Sequence, residues 1–235
     1  MAAAISLFNY ENFITECLES VAGQTHSPLE LIVVDDCSTD HSLAIAQDWM
    51  ESHKGEFQRV LLLQHAANEG LSQTRNTAFR NAKADFVLVL DSDNALYPRT
   101  IARLLDTIQA TGAGAAYSQL EYFGGQIGLG NADVWNPTYF RSGNYVDAMA
   151  LISKSAWERV GGFSDMSYGW EDYDFWCKFI ESDIEGIFVP EVLCRYRAHG
   201  GSMTAGLLEQ QQEKLTRTIH EITLRHPWLE LRLPG

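Results

Sequence analysis

The sequence predicts an α/β fold in which helices cover both faces of a mostly parallel central sheet. Short apolar runs alternate with segments of helical spacing four times within the first 110 residues. Such alternation is typical of parallel strands joined by helices. Apolar residues make up 46% of the 235-residue chain and charged residues 20%, as in a globular protein. The length suits one α/β domain with insertions.

The first half contains four pairs of a strand and a helix. Each predicted strand is a short apolar run, and each predicted helix carries apolar residues three or four positions apart. The predicted strands are residues 3–8, 29–34, 59–63 and 86–90, and the predicted helices are residues 13–21, 38–50, 71–82 and 99–109. Pro98 is expected in the first turn of the fourth helix.

The second half is less regular. Residues 124–144 hold five glycines with little periodicity and predict a long loop. The predicted strands are 113–123, 145–152, 184–189 and 192–197, and the predicted helices are 154–160, 170–181 and 206–225. We expect a single domain over residues 1–235, with a nucleotide-binding half at 1–110 and a second half at 111–235 that completes the site.

Charge and composition exclude several classes of function. A net charge of −14 argues against nucleic acid or an acidic membrane surface as a partner. The four cysteines form no C-x-x-C pair, which argues against a zinc ribbon and favours reduced thiols. No apolar run is long enough for an integral membrane segment. We therefore expect a cytoplasmic protein, with peripheral association at the inner face of the membrane left open.

Two carboxylates follow the predicted strand at residues 86–90. Asp91 and Asp93 lie one residue apart where ligands gather at a parallel sheet, with Ser92 between them. Neighbouring carboxylates repel each other, and Mg²⁺ or Mn²⁺ relieves that repulsion. The alternative is a solvated turn, since Asp and Asn are common turn residues.

Two further polar clusters lie in the first half. Asp36, with Asp35, follows the second strand, where a carboxylate can accept bonds from a base or a ribose; the alternative is a helix cap. Asn68 precedes the third helix, and Arg75 lies one turn into it, where its planar fork could reach a phosphate. The alternative for Arg75 is a surface ion pair with Glu69.

The last candidates lie in the second half. Trp170, Glu171 and Asp172 offer a flat apolar ring beside carboxylates, a combination suited to a sugar hydroxyl and its proton. Acidic residues are also favoured in the first turn of any helix, which is the alternative explanation. His199, beside two glycines, is a metal ligand only if carboxylates converge on it, and otherwise a structural histidine.

These segments together resemble one known family over nearly the whole chain. The matching segments are 5–10, 18–25, 30–40, Asn68-Glu69-Gly70-Leu71-Ser72, Arg75-Asn76, Leu90-Asp91-Ser92-Asp93, Gly161-Gly162-Phe163, Trp170-Glu171-Asp172-Tyr173-Asp174, and Tyr196-Arg197 with His199 and Ser202. In this order they are similar to family 2 glycosyltransferases. Phe8 stands where the family often has Tyr, and Cys37 where it commonly has Gly.

The resemblance implies a GT-A fold and an inverting transfer from a nucleotide-sugar donor. The donor is expected to be a UDP-sugar, with GDP and dTDP open, and the acceptor a hydroxyl of a glycan, polysaccharide or lipid-linked saccharide. The implied roles are Asp172 as catalytic base; Ser6, Phe8, Asp36, Asn68, Arg75, Asp91 and Ser92 as donor contacts; Trp170 and Glu171 as acceptor contacts; and Asp93 and His199 as ligands of a divalent metal, Mn²⁺ or Mg²⁺.

Three other functions remain open from the sequence. A sugar-nucleotide pyrophosphorylase would need a Gly-rich basic loop after the first strand, where this chain has Asn9-Tyr10-Glu11-Asn12. A phosphotransfer domain using Asp35 and Asp36 would leave the second half unexplained. A non-catalytic carbohydrate- or partner-binding domain on the same fold is distinguished by metal-dependent nucleotide binding followed by donor hydrolysis.

Overall fold

The computed structural model describes residues 1–167, 169–200 and 208–232. Ser202 and the predicted helix start at 206–207 lie outside them. Within this part of the chain, nine strands form one sheet. The strands are β1 (Ala2–Leu7), β2 (Glu30–Asp35), β3 (Arg59–Gln64), β4 (Phe86–Asp91), β5 (Ala95–Leu96), β6 (Ala115–Gly124), β7 (Gly128–Leu129), β8 (Ala150–Ser153) and β9 (Gly186–Ala198).

The helices follow the predicted alternation closely in the first half. The helices are α1 (Ile14–Ala22), α2 (Ser42–His53), α3 (Leu71–Asn81), α4 (Thr100–Thr111), α5 (Pro137–Phe140), α6 (Lys154–Arg159), α7 (Glu171–Glu181) and α8 (Leu208–Arg225), with a 3₁₀ turn at Lys54–Glu56. None of the helices in the described residues is long and apolar enough to cross a membrane.

The sheet has the spatial order β3-β2-β1-β4-β8-β6-β9-β5, and β7 pairs with β6. Strands β1 to β4 are parallel, β8 runs antiparallel between β4 and β6, and β6 pairs parallel with β9. Alternate residues of β1 enter different apolar clusters: Ala2 and Ala4 join one, and Ala3, Ile5 and Leu7 join the other. Each face of the sheet therefore carries its own core, as expected for helices on both sides.

Helices α2 and α4 begin later than predicted. Residues 38–40 form a turn tied to Asn9, whose Oδ1 accepts the Thr39 amide at 2.7 Å, so α2 begins only at Ser42. Helix α4 begins at Thr100, which leaves Pro98 before the first turn. The Pro98 carbonyl instead accepts the Thr25 amide at 2.8 Å.

The predicted strands 184–189 and 192–197 are one strand, β9. Its pairing register with β6 shifts between Ser118 and Gln119. Val189 pairs with Ser118 and Val192 pairs with Gln119, so Pro190 has no partner in β6. A bulge there tolerates a residue that cannot donate to the ladder.

The predicted strand 145–152 is shorter than expected and the predicted loop before it is less irregular. Only Ala150–Ser153 pairs in the sheet, because the Asn144 and Asp147 side chains accept the amides of Val146 and Met149 at 3.1 and 2.8 Å. The predicted loop 124–144 contains β7 and α5.

Candidate active site

The carboxyl ends of the parallel strands meet around a cavity of about 350 Å³. The strand register sets Ser6 beside Asp91 and Leu7 beside Asp35, which brings separate segments to one edge. The lining residues are Ser6, Leu7, Phe8, Tyr10, Asp36, Asn68, Gly70, Leu71, Thr74, Asp91, Asp93, Asn94 and Tyr196. Six predicted site residues are thus brought together, and the volume falls in the usual range for a small-molecule site.

Asp36 anchors the loop that leads into α3. Its Oδ1 accepts the Glu69 amide and Oδ2 accepts the Gly70 amide, both at 2.8 Å, and His65 Nδ1 lies 2.7 Å from Oδ1. Asn68 Nδ2 donates to the Asp36 carbonyl at 3.2 Å. The helix-cap alternative therefore fails for Asp36, and also for Asp35, whose Oδ2 accepts the Ser38 amide at 3.1 Å in the turn before α2. Its predicted contact with the base or ribose stays a prediction.

Arg75 joins the donor edge to the second half of the chain. Its side chain is 3% exposed; Nη2 donates to both oxygens of Asp91 at 3.0 Å, and Nη1 donates to Glu171 Oε1 at 2.7 Å. The alternative prediction, a surface ion pair between Arg75 and Glu69, is therefore wrong. Burial lowers the pKa of Arg75, but the carboxylates of Asp91, Glu171 and Asp172 outweigh it and raise the pKa. Arg75 is a charged connector within a cluster of carboxylates.

Asp93 and His199 face each other although 106 residues separate them. His199 Nε2 lies 3.1 Å from Asp93 Oδ2, and the His199 ring contacts Tyr10 and Phe13, with centroids 5.6 and 4.8 Å away. Strand β4 ends at Asp91, so Asp93 lies in the following turn; the Asp91 side chain accepts from Arg75, whereas the Asp93 side chain faces His199. Burial, followed by the charge of Asp91, raises the pKa of Asp93 against the lowering effect of His199.

Asp172 lies in the first turn of α7, near several other acidic groups. Asn144 Nδ2 donates to its Oδ2 at 2.9 Å, and the Tyr173 amide donates to its Oδ1 at 2.7 Å. Burial and then the charges of Glu171 and Asp147 raise the pKa of Asp172 well above its ordinary value, while Arg75 lowers it. A carboxylate with a raised pKa is a stronger proton acceptor, which suits a general base.

Asp147 belongs to the same electrostatic environment. Burial raises its pKa to about 6; the Met149 amide opposes that rise, Asp91 adds to it, and Arg75 also opposes it. The sequence did not single out Asp147 or Asn144, because no local pattern shows which carboxylate or amide faces a helix 25 to 28 residues later.

Trp170 adopts an unusual backbone conformation beside these carboxylates. Its φ of +68° lies in the left-handed region, where a bulky residue is a clear outlier, and it immediately precedes α7. Such conformations are concentrated at functional sites, where the surrounding contacts enforce them. Glu171, next in the chain, is 8% exposed and bound to Arg75, so its predicted contact with the acceptor stays a prediction.

Helix α3 connects the two halves through two more polar side chains. Ser72 Oγ donates to the Ser164 carbonyl at 2.7 Å. Asn76 Oδ1 accepts the Phe163 amide at 2.8 Å and Trp157 Nε1 at 3.1 Å, and its Nδ2 donates to the Phe163 carbonyl. Together with Arg75, these bonds hold the segment before α7 against the helix whose N-terminal end lines the cavity.

The structure divides the predicted site into two neighbouring groups. The first group lines the cavity, the second group surrounds Arg75, and Asp91 belongs to both groups. Ser92 is fully buried, and its backbone amide donates to the Ser6 carbonyl at 3.1 Å. The sequence missed Tyr10, Thr74, Asn94 and Tyr196 as lining residues. Thr74 could have been found from its helical spacing to Leu71.

A sequence profile matches most of this chain. The profile of the family described as "Glycosyl transferase family 2" matches residues 3–162. EpsE of Bacillus subtilis (strain 168) is 24% identical over 207 residues, covering 84% of this chain and 72% of EpsE. Chondroitin synthase of Escherichia coli is 26% identical over 223 residues, covering 92% of this chain but only 32% of that protein.

Solved structures share the fold. TarS 1–349 of S. aureus in complex with UDP-GlcNAc has a TM-score of 0.76 at 20% identity and covers 94% of this chain and 66% of that one. The mannosyltransferase PcManGT of Pyrobaculum calidifontis, in complex with GDP-Man and Mn²⁺, has a TM-score of 0.73 at 20% identity and covers 99% and 65%. The α/β fold of GT-A type predicted from the sequence is confirmed.

Proposed function

Because this chain belongs to glycosyl transferase family 2, whose members are glycosyltransferases of class EC 2.4, we propose that it is an inverting transferase using a UDP-sugar donor. The acceptor is a hydroxyl of a glycan, polysaccharide or lipid-linked saccharide. One observation carries the proposal: a cavity at the carboxyl ends of β1, β2 and β4 is linked through Asp91, Arg75 and Glu171 to the helix that presents Asp172.

The cavity suits the nucleotide part of the donor. Phe8 lies at its edge with 42% of its surface exposed and offers a ring for stacking, which needs no tyrosine hydroxyl. Ser6, Asp36 and Asn68 are the proposed contacts to base and ribose, and Ser92, whose backbone amide donates to the Ser6 carbonyl, is a further proposed donor contact. Arg75 is 3% exposed and does not line the cavity, so we propose that it acts on this side through Asp91.

Asp93 and His199 fit a divalent cation. A carboxylate oxygen and an imidazole nitrogen 3.1 Å apart are both ligands that Mn²⁺ accepts. No group of three or more His, Cys, Asp or Glu ligands converges among the described residues, so the diphosphate would complete the coordination, as is usual for Mg²⁺. When bound, the cation supplies positive charge beside the leaving diphosphate.

Asp172 is the proposed base. The acceptor oxygen forms its bond to the anomeric carbon, its proton passes to Asp172, and the bond from that carbon to the diphosphate oxygen breaks. Burial and the neighbouring carboxylates strengthen Asp172 as a proton acceptor, while Arg75 keeps part of it ionised. In this proposal residues 1–110 bind the donor and residues 111–235 bind the acceptor, with Trp170 and Glu171 beside it. The expected cytoplasmic location stays a prediction.

Thermal unfolding with UDP, GDP, dTDP and CDP, each with and without Mn²⁺, tests the donor site. A ligand that binds only the folded protein raises the apparent melting temperature. We expect a shift that needs both UDP and Mn²⁺ and that Asp93→Asn abolishes. Asp85→Asn is the matched control, since Asp85 is exposed just before the opposite end of the same strand. The absence of a shift with every pair would contradict the proposal and favour a non-catalytic domain.

A further inference from the structure

Helix α7, which carries Asp172, is contacted by a segment of residues 226–228 that follows α8. His226, the residue after α8, is 2% exposed and lies between two carboxylates of α7. Its Nε2 is 3.2 Å from Asp174 Oδ1, and its Nδ1 is 2.7 Å from Glu181 Oε1. Trp228 Nε1 donates to the same Glu181 oxygen at 2.7 Å. The segment therefore contacts both ends of α7.

The geometry requires a charged imidazole. An ionised carboxylate only accepts hydrogen bonds, so both ring nitrogens of His226 must donate, and only the imidazolium has two N–H groups. Burial lowers the pKa of His226, but its hydrogen bonds to Asp174 and Glu181 outweigh that effect and raise the pKa above the ordinary value of 6.5.

Asp174 is the point at which this segment reaches the first turn of α7. It is 1% exposed and lies two residues after Asp172. Besides His226, Lys178 Nζ lies 3.2 Å from its Oδ2 and Arg225 Nη1 lies 3.5 Å from its Oδ1. The charged groups around His226 are thus Asp174, Lys178 and Glu181 from α7 and Arg225, with its partner Glu221, from α8. Removing the proton from His226 removes the closest cationic contact to Asp174 Oδ1.

We propose that charged His226 is a positioning residue for the transfer reaction, because its bond to Asp174 fixes the first turn of α7 and thereby the place of Asp172. This inference rests on the proposed role of Asp172 as base. Loss of the charge leaves Asp174 with only Lys178 and the more distant Arg225, which loosens the first turn. A base misplaced by a fraction of an ångström loses rate without loss of donor binding. The maximal rate therefore falls as pH rises through the pKa of His226.

Two measurements test the inference. The first is a ¹⁵N NMR titration of the wild-type histidines. We expect His226 to show two protonated ring nitrogens at pH 7 and to titrate above 6.5, and exposed His220 on α8 serves as the reference signal. A neutral His226 at pH 7 would overturn the proposal, whether or not any variant folds.

The second measurement is the pH profile of kcat and KM for nucleotide release. The probes are UDP-glucose, UDP-N-acetylglucosamine and GDP-mannose, using whichever the wild type turns over fastest. We expect His226→Gln to lower kcat at pH 7 by about tenfold, with KM nearly unchanged, and to remove the alkaline decline. The matched control, His220→Gln, keeps the wild-type profile. If His226→Gln keeps the wild-type kcat and pH profile, only this inference is overturned. If Asp172→Asn retains transfer, the proposed function is overturned.

Discussion

Replacing Arg75 by Met should destabilise the protein and slow transfer together. The substitution keeps an unbranched apolar stem but removes the charge-assisted bonds to Asp91 and Glu171. Breaking a buried pair by removing one partner typically costs about 3–5 kcal/mol. The Asp91 side chain is 25% exposed and can be rehydrated, whereas that of Glu171 is 11% exposed, so the lower end of the range applies. We expect a loss of about 3 kcal/mol in the free energy of unfolding.

Urea denaturation of the wild type and of Arg75→Met measures this loss. The matched control is Arg80→Met, on the exposed side of the same helix, which should change stability by less than about 0.5 kcal/mol. Because Arg75 lowers the pKa of Asp172, its removal should also move the acid limb of the kcat profile to higher pH. A loss below about 1 kcal/mol with an unchanged profile would refute the connecting role of Arg75.

The remaining predictions concern the turn before α7 and the carboxylates beside it. Gly162→Ala should lower the free energy of unfolding by at least about 1 kcal/mol more than Gly161→Ala does. Both glycines have a φ in the left-handed region, but only a Cβ added at Gly162 would lie 2.6 Å from Asn76 Oδ1. Urea denaturation of the two variants compares their stability. Equal losses of unfolding free energy would contradict the clash. Asp147→Asn should flatten the fall in stability between pH 4 and 6: a partly exposed acid whose folded pKa is raised to about 6 by desolvation destabilises the fold as pH rises through that value. An unchanged slope of unfolding free energy against pH would contradict the burial of this charge.

The sequence predicted the sheet and the donor edge because both follow from local patterns. Apolar runs give buried strands, and the residue after each run lies at the carboxyl end of a parallel strand. That rule is enough to bring Asp36 and Asp91 to one cavity. It also places Asp93 near the end of β4, although the separate partners of Asp91 and Asp93 depend on the turn that follows.

Partners distant in the chain could not be predicted. Arg75 binds carboxylates 16 and 96 residues away, and no local pattern shows which of many acidic residues a helix will face. The same holds for Asn144 and Asp172, and for His226 and Asp174. Strand β9 shows a different error, since the sequence predicts two strands, 184–189 and 192–197, where a bulge lets one strand continue past Pro190.

The most direct test of the proposed mechanism separates donor binding from transfer in Asp172→Asn. We expect the variant to bind UDP with Mn²⁺ as the wild type does and to lose transfer by about 10²–10⁴-fold, the usual contribution of a general base. Asp183→Asn, at an exposed position after the other end of α7, is the control and should retain transfer. Near wild-type transfer by Asp172→Asn would contradict the assignment of the base and, with it, the account of the site.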